Sequence, residues 1–132
     1  MERPTHAGLR HLALNARDLG AMKRFYTELL GFEVEWEPDP DNVYLSSGID
    51  NLALHRAQGS PASQGGQGSL DHLGVIVRKA DDVDRWAAFL ESRGVTLDAK
   101  PKTHRDGARS CYFSDPDGNK VQIIHHPPIS GK

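Results

Sequence analysis

The chain has 132 residues, 37% hydrophobic and 26% charged, with a net charge of −2. That is enough for one domain-sized core without disulfides or structural metal, and too apolar for disorder. No apolar run approaches the roughly 20 residues that cross a bilayer, and acids and bases are mixed along the chain, so neither a membrane nor a nucleic acid is the expected partner. Met1 to Gly8 lacks a basic-then-apolar signal pattern, and the single Cys111 has no internal disulfide partner. Both fit a cytoplasmic protein that acts on a small molecule. Cys111, between Ser110 and Tyr112, reads as buried packing.

In chain order the first segment is a short alternating strand, Leu9-Arg10-His11-Leu12-Ala13-Leu14. An acidic turn and a segment of helical period follow, with apolar residues at Leu19, Met22, Phe25, Tyr26, Leu29 and Leu30, ended by Gly31. Three strands are predicted next, about 32 to 37, 42 to 47 and 50 to 56, separated by Pro38-Asp39-Pro40-Asp41 and Ser47-Gly48. Gln58 to Ser69 is rich in Gly, Ser and Gln and reads as a flexible linker spanning roughly 20 Å. Then the pattern recurs. Leu70-Asp71-His72-Leu73-Gly74-Val75 repeats the opening strand, and Val83, Trp86, Phe89 and Leu90 repeat the helix, which Gly94 ends. Strands of about 95 to 99, 109 to 114 and 119 to 125 follow, the last two joined by Asp115-Pro116-Asp117-Gly118-Asn119. The expectation is an α+β fold: one domain of two βαβββ modules, about 8 to 57 and 70 to 127, whose concave mixed sheets surround a shared pocket.

Strand alternation sorts the side chains. Leu12 and Leu14 go under the first helix and His11 and Ala13 to the other face; Leu73, Val75 and Val77 go under the second, leaving His72, Gly74 and Ile76 opposite. On the last strand of each module Leu52, Leu54, Val121 and Ile123 are core, while Ala53, His55, Gln122 and Ile124 face away. Four matched positions result: His11, Ala53, His72 and Gln122. Two imidazoles and one amide around a point form a partial shell for a divalent cation. A single strand histidine is more often a hydrogen-bonded structural residue, and it is the recurrence in matched settings that points to a ligand.

At these residues the sequence resembles the vicinal oxygen chelate superfamily, which includes glyoxalase I, fosfomycin-resistance enzymes, methylmalonyl-CoA epimerases, extradiol dioxygenases and bleomycin-resistance proteins. The marks are His11, His72, the helix end Phe25-Tyr26-Thr27-Glu28-Leu29-Leu30-Gly31-Phe32, and Phe113-Ser114-Asp115-Pro116-Asp117-Gly118-Asn119. The resemblance implies a glyoxalase- or dioxygenase-like metalloenzyme, a lyase or dioxygenase in which a divalent ion (iron, manganese, zinc or nickel) on His11, His72 and Gln122 chelates a small oxygen-rich or aromatic metabolite. Glutamate is usual where Gln122 stands, and Ala53 offers no ligand, which points away from four-ligand isomerases and lyases. By similarity to extradiol dioxygenases, His104 and Tyr112 are candidates for proton transfer. His55, two residues beyond Ala53, could bind metal or substrate; Arg109 could meet an anionic substrate; Trp36 and Tyr44 could line the pocket. His125 and His126 point apart and read as surface residues. The alternative reading is a metal-free, bleomycin-resistance-like protein that binds or sequesters a small molecule. Either way the resemblance implies a homodimer.

Overall fold

The computed structural model describes residues 1–3, 5, 7–58 and 70–132. The expected linker, Gln58 excepted, lies outside the described residues. The chain divides into two compact units, residues 1–61 and 62–132. Each holds a four-stranded mixed sheet of the βαβββ pattern.

In the first unit, β1 (His11–Ala16) is followed by α1 (Leu19–Arg24), β2 (Glu33–Asp39), β3 (Asn42–Ser46) and β4 (Asn51–Arg56). The sheet order is β1-β4-β3-β2, with β1 parallel to β4 and the other pairs antiparallel. The Asp18 carboxylate accepts the Ala21 N–H and caps α1, satisfying a donor that has no partner inside the helix. Its continuation, Phe25–Leu29, is wound as a π-turn. Leu14, Leu19, Met22, Tyr26, Leu45 and Leu54 are buried and form the core between sheet and helix. Burial of each such side chain stabilises the fold by about 1.5–3 kcal/mol.

The second unit repeats the topology. Here β5 (Leu73–Ile76), α2 (Ala80–Ser92), β6 (Leu97–Thr103), β7 (Arg109–Ser114) and β8 (Lys120–His125) form a sheet of order β5-β8-β7-β6, and α3 (Pro127–Ser130) closes the chain. Val83, Ala87 and Leu90 recur on one stripe of α2 and are buried, as are Phe113, Val121 and Ile123 on the facing strands.

The two helices end in related ways. The Gly94 N–H reaches the Glu91 carbonyl and the Val95 N–H the Leu90 carbonyl, with Gly94 at φ 82°, a left-handed cap that glycine adopts without a Cβ penalty. Gly31 has φ 80°, but the Phe32 N–H reaches back to the Tyr26 carbonyl, one residue further than in the second unit, because the π-turn adds a residue to the last coil.

Two of the outer strands, β2 and β6, are longer than expected. β2 runs to Asp39 through Pro38, and β6 runs from Leu97 to Thr103 through Pro101. Both lie at a sheet edge, where a missing N–H breaks no ladder, and both carry register shifts against their neighbours. β1 and β5 start later than expected, so His11 opens its strand while His72 immediately precedes its own.

Candidate functional site

Register aligns equivalent rows in the two sheets. In the first unit Ala13 pairs Ala53, Ala53 pairs Tyr44, and Tyr44 pairs Trp36. In the second Gly74 pairs Gln122, Gln122 pairs Tyr112, and Tyr112 pairs Ala99. These are the rows facing away from the helices.

In the second row Gln122 is 7% exposed, and its Nε2 donates to the Tyr112 hydroxyl at 2.9 Å. That contact satisfies the amide nitrogen of a buried side chain, which would otherwise cost about 1–3 kcal/mol. It also turns Oε1 toward Gly74, where a Cβ, were there one, would lie 3.5 Å from that oxygen. Glycine therefore keeps open the space in front of the one lone-pair donor that Gln122 offers. His72 meets the Tyr112 ring edge-on, centroids 5.6 Å apart. Its Nδ1 donates to the Asp71 carboxylate at 2.6 Å.

His11 makes the corresponding contact in the first unit. Its Nδ1 lies 2.8 Å from the Asn51 Oδ1. Carboxylate and carbonyl oxygens accept only, so each ring donates from Nδ1 in these contacts, and the neutral form of either histidine keeps a lone pair on Nε2, which has no partner among the described residues. His55 follows suit, with Nδ1 2.6 Å from the Asn42 Oδ1. Beside it Tyr44 lies edge-on, ring centroids 5.8 Å apart, and Trp36, 58% exposed, stacks on Tyr44 at 5.1 Å. Ala53 is buried next to Tyr44 and offers no donor atom.

The remaining candidates separate. His104 lies in a tight turn closed by its N–H to the Ala108 carbonyl, and its Nε2 is 3.0 Å from the buried Ser110 hydroxyl. It lines an open cavity of about 710 Å³ in the second unit together with Tyr112, Gln122, Lys102 and Arg105. Arg109 lies on the other face of the sheet, its guanidinium held by the Asp84 carboxylate of α2 at 2.6 and 2.9 Å and by the Thr103 hydroxyl at 3.0 Å. The hydrogen bond from Arg109 holds the Asp84 carboxyl below the usual carboxylate range, and Asp84 in turn raises the guanidinium. Arg109 thus joins β7 to α2. Cys111 is buried and its thiol is pushed up to about 11, chiefly by burial, in keeping with a packing role. His125 is only partly exposed, with a buried Nδ1 that lacks a partner, and His126 leads into α3, its N–H donating to Ser130. Among the described residues no three of His, Cys, Asp and Glu gather as a metal cluster.

Sequence reasoning did not find Asn51 or Asp71. Asp71 adjoins His72 in the chain, but neighbouring residues rarely face each other on a strand, and the contact forms because His72 precedes β5.

Residues 8–123 match the model of the Glyoxalase/Bleomycin resistance protein/Dioxygenase superfamily. The chain belongs to that superfamily. A glutathione transferase, FosA of Serratia marcescens, is 30% identical over 117 residues, 87% of this chain and 78% of that one. A metallothiol transferase, FosB of Staphylococcus epidermidis, is 25% identical over 114 residues, 86% of this chain and 78% of that one. Among solved structures, lactoylglutathione lyase from Agrobacterium tumefaciens superposes with a TM-score of 0.76 over 92% of this chain and 96% of its own at 22% identity, a likeness of fold. The βαβββ architecture expected from the sequence is therefore that of the superfamily. Among the described residues no helix is long and apolar enough to cross a membrane.

Proposed function

We propose that this superfamily member is a metal-dependent enzyme acting on a small oxygen-rich or aromatic molecule, with His11, His72 and Gln122 as its metal ligands. The observation that carries the reading is the matched setting of the two histidines: each has Nδ1 on an oxygen acceptor and an Nε2 with no partner among the described residues, the arrangement by which outer partners orient metal-binding imidazoles. The Gln122 carbonyl beside Gly74 fits as the third, neutral donor. A bound divalent ion (iron, manganese, zinc or nickel) would supply Lewis-acid polarisation of a substrate oxygen. The names of the transferase relatives favour addition of a nucleophile over insertion of oxygen.

The chain's own residues supply the rest. Because Tyr112 accepts from Gln122, its own O–H is left to donate to a substrate oxygen. His104, steadied by Ser110 on the same cavity wall, is the second candidate for proton transfer. His55 offers its Nε2 to a polar substrate group, and Trp36 with Tyr44 a flat apolar surface to a ring. A homodimer acting in the cytoplasm belongs to the same reading, and a monomer in sedimentation would remove the first part of it.

Elemental analysis and calorimetric titration of tag-free protein test the assignment. Stoichiometric uptake of one of the four ions, lost by about tenfold or more in both His11→Ala and His72→Ala, is the expected result. No uptake of any of them would overturn it. A metal-free binding protein is the second reading, favoured by the uncharged Gln122 and by Ala53; ligand binding that persists unchanged in a chelator would establish it.

A further inference from the structure

In the first unit a chain of contacts stands behind His11. Asn51 Oδ1 takes the His11 Nδ1–H at 2.8 Å, and Asn51 Nδ2 points the other way, to the Glu35 carboxylate at 3.4 Å. An amide has two nearly isosteric ends, so something must decide which end meets the imidazole. With Oδ1 toward His11, the ring carries its proton on Nδ1 and keeps a lone pair on Nε2. With Nδ2 toward His11, the proton moves to Nε2 and that nitrogen cannot bind a cation. Glu35 accepts only, and so holds the amide in the first orientation.

The same device occurs again on this sheet. Asn42 Oδ1 receives the His55 Nδ1–H at 2.6 Å, and Asn42 Nδ2 donates to both Asp39 oxygens, at 3.0 and 3.1 Å. Glu35 and Asp39 both belong to β2, and Asn51 and Asn42 each stand between an acid of that strand and a histidine. In the second unit Asp71 meets His72 directly, with no amide between.

We infer that Glu35, acting through Asn51, is a positioning residue that fixes the tautomer of His11 and keeps its Nε2 available as a ligand. The consequence for metal binding rests on the function proposed above; the tautomer itself does not. β2 is thereby assigned a role that its exposed, edge position hides.

The test reads the tautomer in metal-free protein, by long-range ¹H–¹⁵N correlation of the histidine rings at a pH where they are neutral. His11 and His55 are both expected as Nδ1–H in the wild type. Glu35→Leu should convert His11 to a mixture or to Nε2–H while His55, held by Asp39, stays unchanged and reports that the sheet is intact. Asn51→Asp presents oxygen whichever way it turns, so adding it to Glu35→Leu should restore Nδ1–H. An Nε2–H His11 in the wild type, or a His11 indifferent to Glu35→Leu, overturns the inference. Zinc titration completes the test: Asn51→Ala and Glu35→Leu should each weaken affinity, by roughly 10- to 100-fold and about tenfold, with Asn51→Asp compensating for Glu35→Leu. Zinc affinity that falls in His11→Ala but not in Asn51→Ala counts against the relay alone. Affinity unchanged in His11→Ala refutes the ligand assignment and leaves the tautomer result standing.

Discussion

Gln122 and Tyr112 are register partners on adjacent strands, and the amide of one donates to the hydroxyl of the other at 2.9 Å. The pair fixes which atom of Gln122 is free. Tyr112→Phe should release that constraint, leaving a buried N–H unpaired at a stability cost of about 1–3 kcal/mol and lowering divalent-ion affinity severalfold. Gln122→Glu should do the opposite to affinity, since a tyrosine hydroxyl can donate to a carboxylate and the added charge attracts the cation. Calorimetric titration of both variants beside the wild type checks the pair; equal affinities in all three would remove Gln122 from the ligand set.

Gly74 is exposed, and an added Cβ would meet only ordinary contacts at 3.5 Å, to Gln122 Oε1 and Ile124 Cγ2. Valine there suits a strand and should leave the melting temperature within a few degrees or raise it. Its branches would still fill the space before Oε1. Preserved folding with lost ion uptake is the expected outcome, and full uptake would show that Oε1 is not used.

The Arg109–Asp84 pair gives a pH dependence of defined sign. The carboxyl of Asp84 is held below the usual carboxylate range, so its contribution is present above that range and lost as pH falls through the lowered value. Asp84 is exposed and Arg109 partly so, and solvent limits the effect. Asp84→Asn should be slightly less stable than the wild type at neutral pH, with the gap closing in acid. A gap in chemical denaturation that stays constant to low pH would contradict this.

With its thiol pushed up to about 11, Cys111 holds roughly one thiolate in ten thousand at pH 7. Thiol reagents should therefore label it only as fast as the second unit opens. Labelling rates rising with denaturant in step with unfolding are the expected result; immediate labelling of native protein would be inconsistent with a buried Cys111.

Gly94 at φ 82° sets the end of α2, and nothing crowds a Cβ there. The cost of Gly94→Ala is thus purely conformational, about 1–2 kcal/mol. Thermal melting should show it, with ion uptake by the folded variant unchanged.

The repeat made most of the fold legible. Helical spacing ended by Gly31 and Gly94 and the Asp115–Asn119 turn lie where expected, because each depends on local period or on a residue that only one geometry suits, while the strands of the two Leu-x-His-Leu segments begin two and three residues late. Boundaries at the edges were misjudged at Pro38 and Pro101, since proline reads as a stop unless the strand is known to be outermost, and sheet order is a non-local property. The π-winding of Phe25–Leu29 has no separate signature in an apolar pattern that suits either helix. For the site, alternation sorted Gln122 and Ile124 from Val121 and Ile123 correctly, yet could not see that Arg109 is claimed by Asp84, twenty-five residues earlier. Nor could it see the acids behind the histidines: Glu35 on β2 reaches Asn51 on β4 only across β3, and Asn51 meets His11 only through the register of β1 to β4.

The prolines in the outer strands bear on how this protein behaves when concentrated. An open strand edge invites another chain to add to the sheet, and such growth leads to fibres. Pro38 and Pro101 each delete a donor from one outer strand of their sheet, β2 and β6, and the register shifts bend those strands out of line. Replacing either proline with valine would restore the donor, so the cost of such a change would be paid in shelf life rather than in melting temperature.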